Sequence, residues 1–113
     1  TAKDSHMDLP VLLHWEERLH RVELAPFRKL IQDGIPGVMS SHLHIPQWDD
    51  RSNVAVTHSL PIIQHQLRQK LGFKGILFTD ALDMKGVSKF MSPAEINREA
   101  LLADHDVLCG CKR

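Results

Sequence analysis

The chain has no excess charge of either sign: fourteen Lys and Arg are matched by fourteen Asp and Glu over 113 residues. With no basic run there is no electrostatic footprint for a nucleic acid or an anionic membrane surface, so neither is an expected partner. Long apolar runs are missing too. The longest, around residues 60–63 and 75–78, fall far short of the roughly 20 residues needed to cross a bilayer. The opening TAKDSHMDLP has neither a basic n-region nor an apolar h-region, so no signal peptide is expected there. The compartment stays open between cytoplasm and periplasm or exterior. Cysteine is scarce: Cys109 and Cys111 form a C-x-C pair that supplies half of a four-ligand zinc site, and the pair reads as incidental. No internal repeat, low-complexity tract or linker divides the chain, and one structural unit is the expectation.

What is present is an alternation of helix and strand signals. Residues 15–33, WEERLHRVELAPFRKLIQD, place Leu19, Val22, Phe27, Leu30 and Ile31 near helical spacing and stop before Gly34. Pro26 splits that run into two short helices or kinks a single one. Residues 37–46, GVMSSHLHIP, begin as a strand and lead into a loop with Trp48, Asp49 and Asp50. Ser59 is placed to cap a helix over 60–71, with Pro61 in its first turn and Gly72 as its stop. GILFT at 75–79 predicts a second strand, Ser92 caps a polar helix over 93–103, and DVLCG at 106–110 predicts a third strand. Apolar strands without period-2 alternation, separated by helices, predict an α/β architecture with parallel strands covered on both faces. About three strands fit this length.

The polar residues collect in one kind of place. His42 and His44 follow the first strand, and Asp80 and Asp83 follow the second. All four therefore lie beyond carboxyl ends of parallel strands, where barrel and doubly wound folds hold ligands. In GFKGILFTDALDM, residues 72–84, an apolar strand ends in a carboxylate, which is costly unless something uses it. On residue types alone Asp80 fits a catalytic acid and a loop-capping acid equally well. Asp83 reads as an organiser of the following loop, and Met39 and Met84 as packing in the core or near the site. His14, His20, His58, His65 and His105 read as surface or helix positions.

The order FKGILFTD resembles the nucleophile signature of glycoside hydrolase family 3, in which an aspartate follows Ser or Thr at the end of a barrel strand. VMSSHLHIP at 38–46, QLRQKLGFKG at 66–75 and REALLADHDVL at 98–108 are similar to further stretches of that family, in the same order and spacing. DSHMDLP at 4–10 resembles the D-[ST]-H loop motif of its β-N-acetylglucosaminidase branch. The resemblance implies a retaining exo-β-N-acetylglucosaminidase acting on terminal N-acetylglucosamine of peptidoglycan fragments or chitooligosaccharides, with no metal or organic cofactor. It implies Asp80 as nucleophile, His6 as acid/base and Asp4 as the partner of His6. His42, Met84 and Trp48 become candidates for sugar contact, although His42 satisfied by backbone and Trp48 covering the barrel edge fit as well.

The residue types suit that chemistry. A retaining glycosidase needs a nucleophile on one side of the anomeric carbon and an acid/base on the other. Histidine titrates near neutral pH and can move the proton, while an adjacent carboxylate fixes its tautomer and favours its cation.

By the same resemblance the fold is part of a (β/α)8 barrel. Such a barrel takes about 250 residues, so residues 1–113 are expected to be a fragment of one catalytic barrel domain that needs the rest in cis. Alone, the chain should be marginally stable and inactive. It departs from the family pattern at Asp104, where a glycine is usual, and at Ala81, where many members have a second acid. Two other functions fit the residues: a metal-dependent barrel hydrolase with His42, His44 and Asp80 as ligands, and a non-catalytic carbohydrate-binding fragment.

Overall fold

A computed structural model describes residues 9–13, 16–83 and 91–110. Helix α1 (Glu16–Arg18) runs straight into a π-helical stretch, Leu19–Glu23, closed by the Leu24 N–H on the Leu19 carbonyl at 2.8 Å. Helix α2 (Ala25–Gln32) follows. Pro26 stands in its first turn, where the missing N–H has no helical partner to lose, so the break falls just ahead of the proline. Gly34 ends this region at φ +88°, a left-handed conformation that glycine adopts without a Cβ clash.

Strand β1 (Gly37–Met39) then pairs in parallel with β2 (Ile76–Phe78), in register from Gly37↔Ile76 to Met39↔Phe78. The crossover between them contains a 3-10 turn, Val56–His58, and a helix that continues as π-helical turns over Ile62–Lys70. Ser59 caps that helix as its sequence predicts, its Oγ accepting the Ile62 N–H at 3.3 Å. Helix α3 (Pro93–Leu102) opens on a full capping box: Ser92 Oγ accepts from the Glu95 N–H, and the Glu95 carboxylate accepts from the Ser92 N–H.

The expected third strand is reduced to one parallel bridge, Phe78↔Val107. Val107 pairs across Leu77 and Thr79, but the next available donor, the Cys109 N–H, goes to the Thr79 hydroxyl at 2.9 Å instead of continuing a ladder. A second isolated parallel bridge, Val11↔His44, ties the N-terminal segment to the stretch after β1.

The buried side chains form several small clusters. Leu19, Ile45 and Ile62 make one, with Trp48 and Val56 against it; Leu82, Ile96 and Ala100 make another under α3. Leu77, with no exposed surface, is the centre of the sheet, and truncating it to Ala should cost about 2–5 kcal/mol. The sheet's flanks are bare by comparison. Met39 is 59% exposed and Ile76 48%, so the covering on both faces that the sequence predicts is incomplete.

Arg68 links the crossover helix to the strands' entry side. Its guanidinium donates to the carbonyls of Phe73 (3.3 Å) and Gly75 (2.9 Å), lies 5.2 Å from the centre of the Phe73 ring, and pairs with Asp104 and Asp106. Asp106 in turn accepts the Leu77 N–H at 2.8 Å. Asp104 has φ +72°, so the turn that suits glycine is kept with an aspartate in it.

Candidate active site

Asp80 lies two residues past the end of β2, half-buried, with Thr79 fully buried before it. Its Oδ1 accepts the Ala81 N–H at 2.7 Å. Among the described residues its other oxygen has no hydrogen-bond partner, which leaves one face of the carboxylate available to a ligand.

The loop carrying it is held peptide by peptide. The Thr79 N–H donates to the Val107 carbonyl at 3.1 Å, and the Thr79 hydroxyl accepts from the Cys109 N–H. The Leu82 N–H donates to the Cys109 carbonyl at 2.9 Å. From the other side, His42 Nε2 stands 2.8 Å from the Ala81 carbonyl oxygen, and His42 Nδ1 stands 2.7 Å from Thr57 Oγ1. A strand-end acid is thus set on a backbone with little freedom to turn away.

Beneath this loop lies a buried polar layer that the sequence does not announce. Ser40, at the end of β1, donates to His105 Nε2 at 2.7 Å, and His105 Nδ1 donates to the Ala100 carbonyl at 2.9 Å. Burial pushes the His105 imidazole below its ordinary pKa, keeping it neutral. His58, 6% exposed, has neither ring nitrogen in a well-formed hydrogen bond among the described residues. Burial, reinforced by the neighbouring His42, lowers its pKa from 6.5 to about 4. Both residues, read from the sequence as surface or helix positions, are buried beneath or beside α3. The only sequence signal for this is that apolar neighbours flank them, as in Val54–Ala55–Val56 ahead of His58.

The other expected site residues divide as follows. Asp4, His6 and Met84 lie outside the described residues, as does His14. His42, a candidate for the sugar pocket, has no exposed surface and both ring nitrogens committed, so it supports the loop from below. Trp48 packs on Leu19, Ile45 and Ile62 with its ring 5.5 Å from that of His20, which is a packing role. His44 directs Nδ1 to the Val54 carbonyl at 2.9 Å. His42 and His44 therefore serve different backbone carbonyls, and among the described residues no three His, Cys, Asp or Glu side chains come together as a metal site; the metal-ligand reading of His42, His44 and Asp80 is not assembled. Asp83 is exposed after the loop, and Met39 is exposed rather than packed.

A cavity of about 260 Å³ lies between β1 and the helices, walled by Leu19, Leu24, Phe27, Val38, Ile63 and Leu67 among others. It is apolar and does not reach Asp80.

The chain is a parallel α/β unit with a carboxylate just past a strand's carboxyl end, and comparison with known proteins gives its family. The model of the glycosyl hydrolase family 3 N terminal domain matches residues 1–113, and the chain belongs to that family. Beta-hexosaminidase A of Pseudoalteromonas piscicida is 33% identical over 95% of this chain, and beta-hexosaminidase of Methylobacillus flagellatus is 33% identical over 97% of it. The solved glycoside hydrolase family 3 beta-N-acetylglucosaminidase from Paenibacillus sp. superposes with a TM-score of 0.91 at 39% identity over 96% of the chain. The chain spans only 20%, 31% and 21% of these three relatives.

Proposed function

We propose that this chain is the nucleophile-bearing part of a retaining exo-β-N-acetylglucosaminidase, residues 1–113 forming a fragment of one (β/α)8 catalytic barrel domain. The observation that carries the reading is Asp80: a carboxylate at the carboxyl end of a parallel strand, with one oxygen held by the Ala81 N–H and the other without a partner among the described residues. The bridge at Val107 counts as the third of the fragment's strands, and the half-bare strands β1 and β2 are the faces that the rest of the domain would cover in cis.

In this reading Asp80 attacks the anomeric carbon of a terminal β-linked N-acetylglucosamine, from peptidoglycan fragments or chitooligosaccharides. The bond to the leaving oxygen breaks as His6 donates its proton to it. His6 then takes a proton from water, which displaces Asp80 and releases the sugar with retained configuration. Asp4 holds the His6 imidazole and favours its cation. The Val11↔His44 bridge ties the chain at Val11 to the stretch after β1. His42 and Trp48 take structural parts in this scheme, and no metal enters it.

The direct test is Asp80→Ala in the full-length enzyme, with an aryl N-acetyl-β-glucosaminide as substrate. Turnover should fall by orders of magnitude, and added azide should restore cleavage with formation of the α-glycosyl azide. Near-normal turnover without azide would reject the assignment.

A further inference from the structure

The ring of His42 is fully buried, yet its two contacts make it part of the loop that bears Asp80. The carbonyl of Ala81 can only accept, so Nε2 must carry a proton. That fixes what Nδ1 does. In the neutral ring Nδ1 accepts the Thr57 hydroxyl proton across 2.7 Å. In the charged ring Nδ1 donates to Thr57 Oγ1, and the Thr57 hydroxyl turns to the Ser41 carbonyl, 3.1 Å away. One rotation of a hydroxyl serves either protonation state, and the bond to Ala81 survives both.

That bond acts on a particular peptide. The Ala81 carbonyl and the Leu82 N–H belong to the same peptide plane, whose other end is held by the Cys109 carbonyl at 2.9 Å. With both ends of this plane fixed, the preceding peptide is set as well, and its N–H is the one bound to Asp80 Oδ1 at 2.7 Å. The carboxylate's direction therefore depends on a ring at the end of the neighbouring strand.

We infer that His42 is a positioning residue for the nucleophile, acting through the Ala81 carbonyl, with Thr57 setting the ring's orientation; this rests on the reading of Asp80 given above. Because attack requires alignment of the carboxylate with the anomeric carbon, and misplacement of about 1 Å can cost on the order of 100-fold, the loss should fall on turnover and leave substrate binding nearly unchanged.

The test uses the full-length enzyme with His42→Ala and His42→Gln, each assayed for kcat and KM per active site, the sites being counted with a slow fluorosugar that leaves the glycosyl-enzyme intact. H42A should lose about 10- to 100-fold in kcat per site with KM within a few-fold. H42Q, whose amide can donate to the Ala81 carbonyl, should recover most of that loss. If H42A does not fold, Thr57→Val takes its place and should lower kcat per site several-fold, because Nδ1 loses its partner. Unchanged kcat per site in H42A (or in T57V in its place), or H42Q as impaired as H42A, would overturn the inference. Asp80→Ala run alongside separates the two ideas: full activity in that variant removes the nucleophile reading itself, whereas a dead D80A beside a fully active H42A removes only the role of His42.

Discussion

Ser59 Oγ donates to Asp49 Oδ2 across 2.6 Å, joining the loop after β1 to the cap of the crossover helix. Arg51 holds the same carboxylate through two bonds of 3.0 and 2.7 Å. Arg51 and Ser59 together outweigh burial, so the Asp49 carboxyl is held down at about 2 from the usual 3.8. A depressed folded-state pKa means that the contribution is complete above pH 4 and disappears as the pH falls toward 2, where the folded carboxylate is finally protonated. The pair of values corresponds to about 2 kcal/mol. Asp49→Asn should lose about 1–2 kcal/mol at neutral pH and should show a flatter decline between pH 4 and 2 in denaturant titrations. Parallel declines in variant and parent would remove Asp49 as the cause.

His58 also loses stability on acidification, but because burial favours its neutral form. Its folded pKa of about 4 lies below the ordinary 6.5, so on acidification the unfolded chain takes up the proton first, and stability drops as the pH falls from 6.5 toward 4. Between pH 7 and 5 this amounts to about 2 kcal/mol. Among the described residues neither ring nitrogen makes a well-formed hydrogen bond, and the Ile96 backbone only weakly opposes the effect of burial. His58→Phe should therefore be neutral or stabilising at pH 7 and should remove most of the loss seen at pH 5. Thermal unfolding at the two pH values measures this, and a variant as acid-sensitive as the parent would contradict it.

Asp104 occupies a left-handed turn, φ +72°, at the end of α3, and its carboxylate is 3.4 Å from the Arg68 guanidinium. The backbone favours glycine there, while the ion pair, with Asp104 half exposed, contributes a fraction of a kcal/mol. Asp104→Gly should gain about 0.5–1 kcal/mol net, and Asp104→Ala, with a Cβ and no polar group to bond locally, should lose stability. The order Gly above Asp above Ala in melting temperature is the expected outcome. An alanine variant as stable as the parent would show that the turn relaxes.

The elements with local signatures were readable from the sequence: Gly34 and Gly72 as stops, Ser59 as a cap, and the Ser92/Glu95 box. The place of Asp80 just past a strand was readable too, because an acid ending an apolar run conflicts with burial and so stands out. What the sequence left open or missed was decided by tertiary partners. His42 meets Ala81 from the adjacent strand's end, 39 positions away in the chain, and nothing near His42 in sequence marks that. Trp48, in a polar loop stretch, was drawn inward by Leu19 and Ile62. The third strand shrank to a bridge because a threonine side chain took the Cys109 N–H, a competition that no apolar pattern records.

Gly110 brings that same C-terminal segment against the Asp80 loop. It stands at φ +64°, and a Cβ there would lie 3.2 Å from the Cα and Cβ of Ala81 and from the Leu82 nitrogen. Two of these are backbone atoms and the third is the Ala81 methyl fixed to them, so they yield less readily than the end of a flexible side chain. Gly110→Ala in the full-length enzyme thus combines a left-handed strain of about 1 kcal/mol with pressure on the peptide that His42 and Cys109 hold. The Leu82 N–H bond to the Cys109 carbonyl should lengthen, and kcat should fall about tenfold with KM little changed, since the carboxylate's aim is disturbed and the sugar subsites are not. A variant that loses stability but keeps its turnover per active site would show that the loop's position does not depend on its C-terminal support.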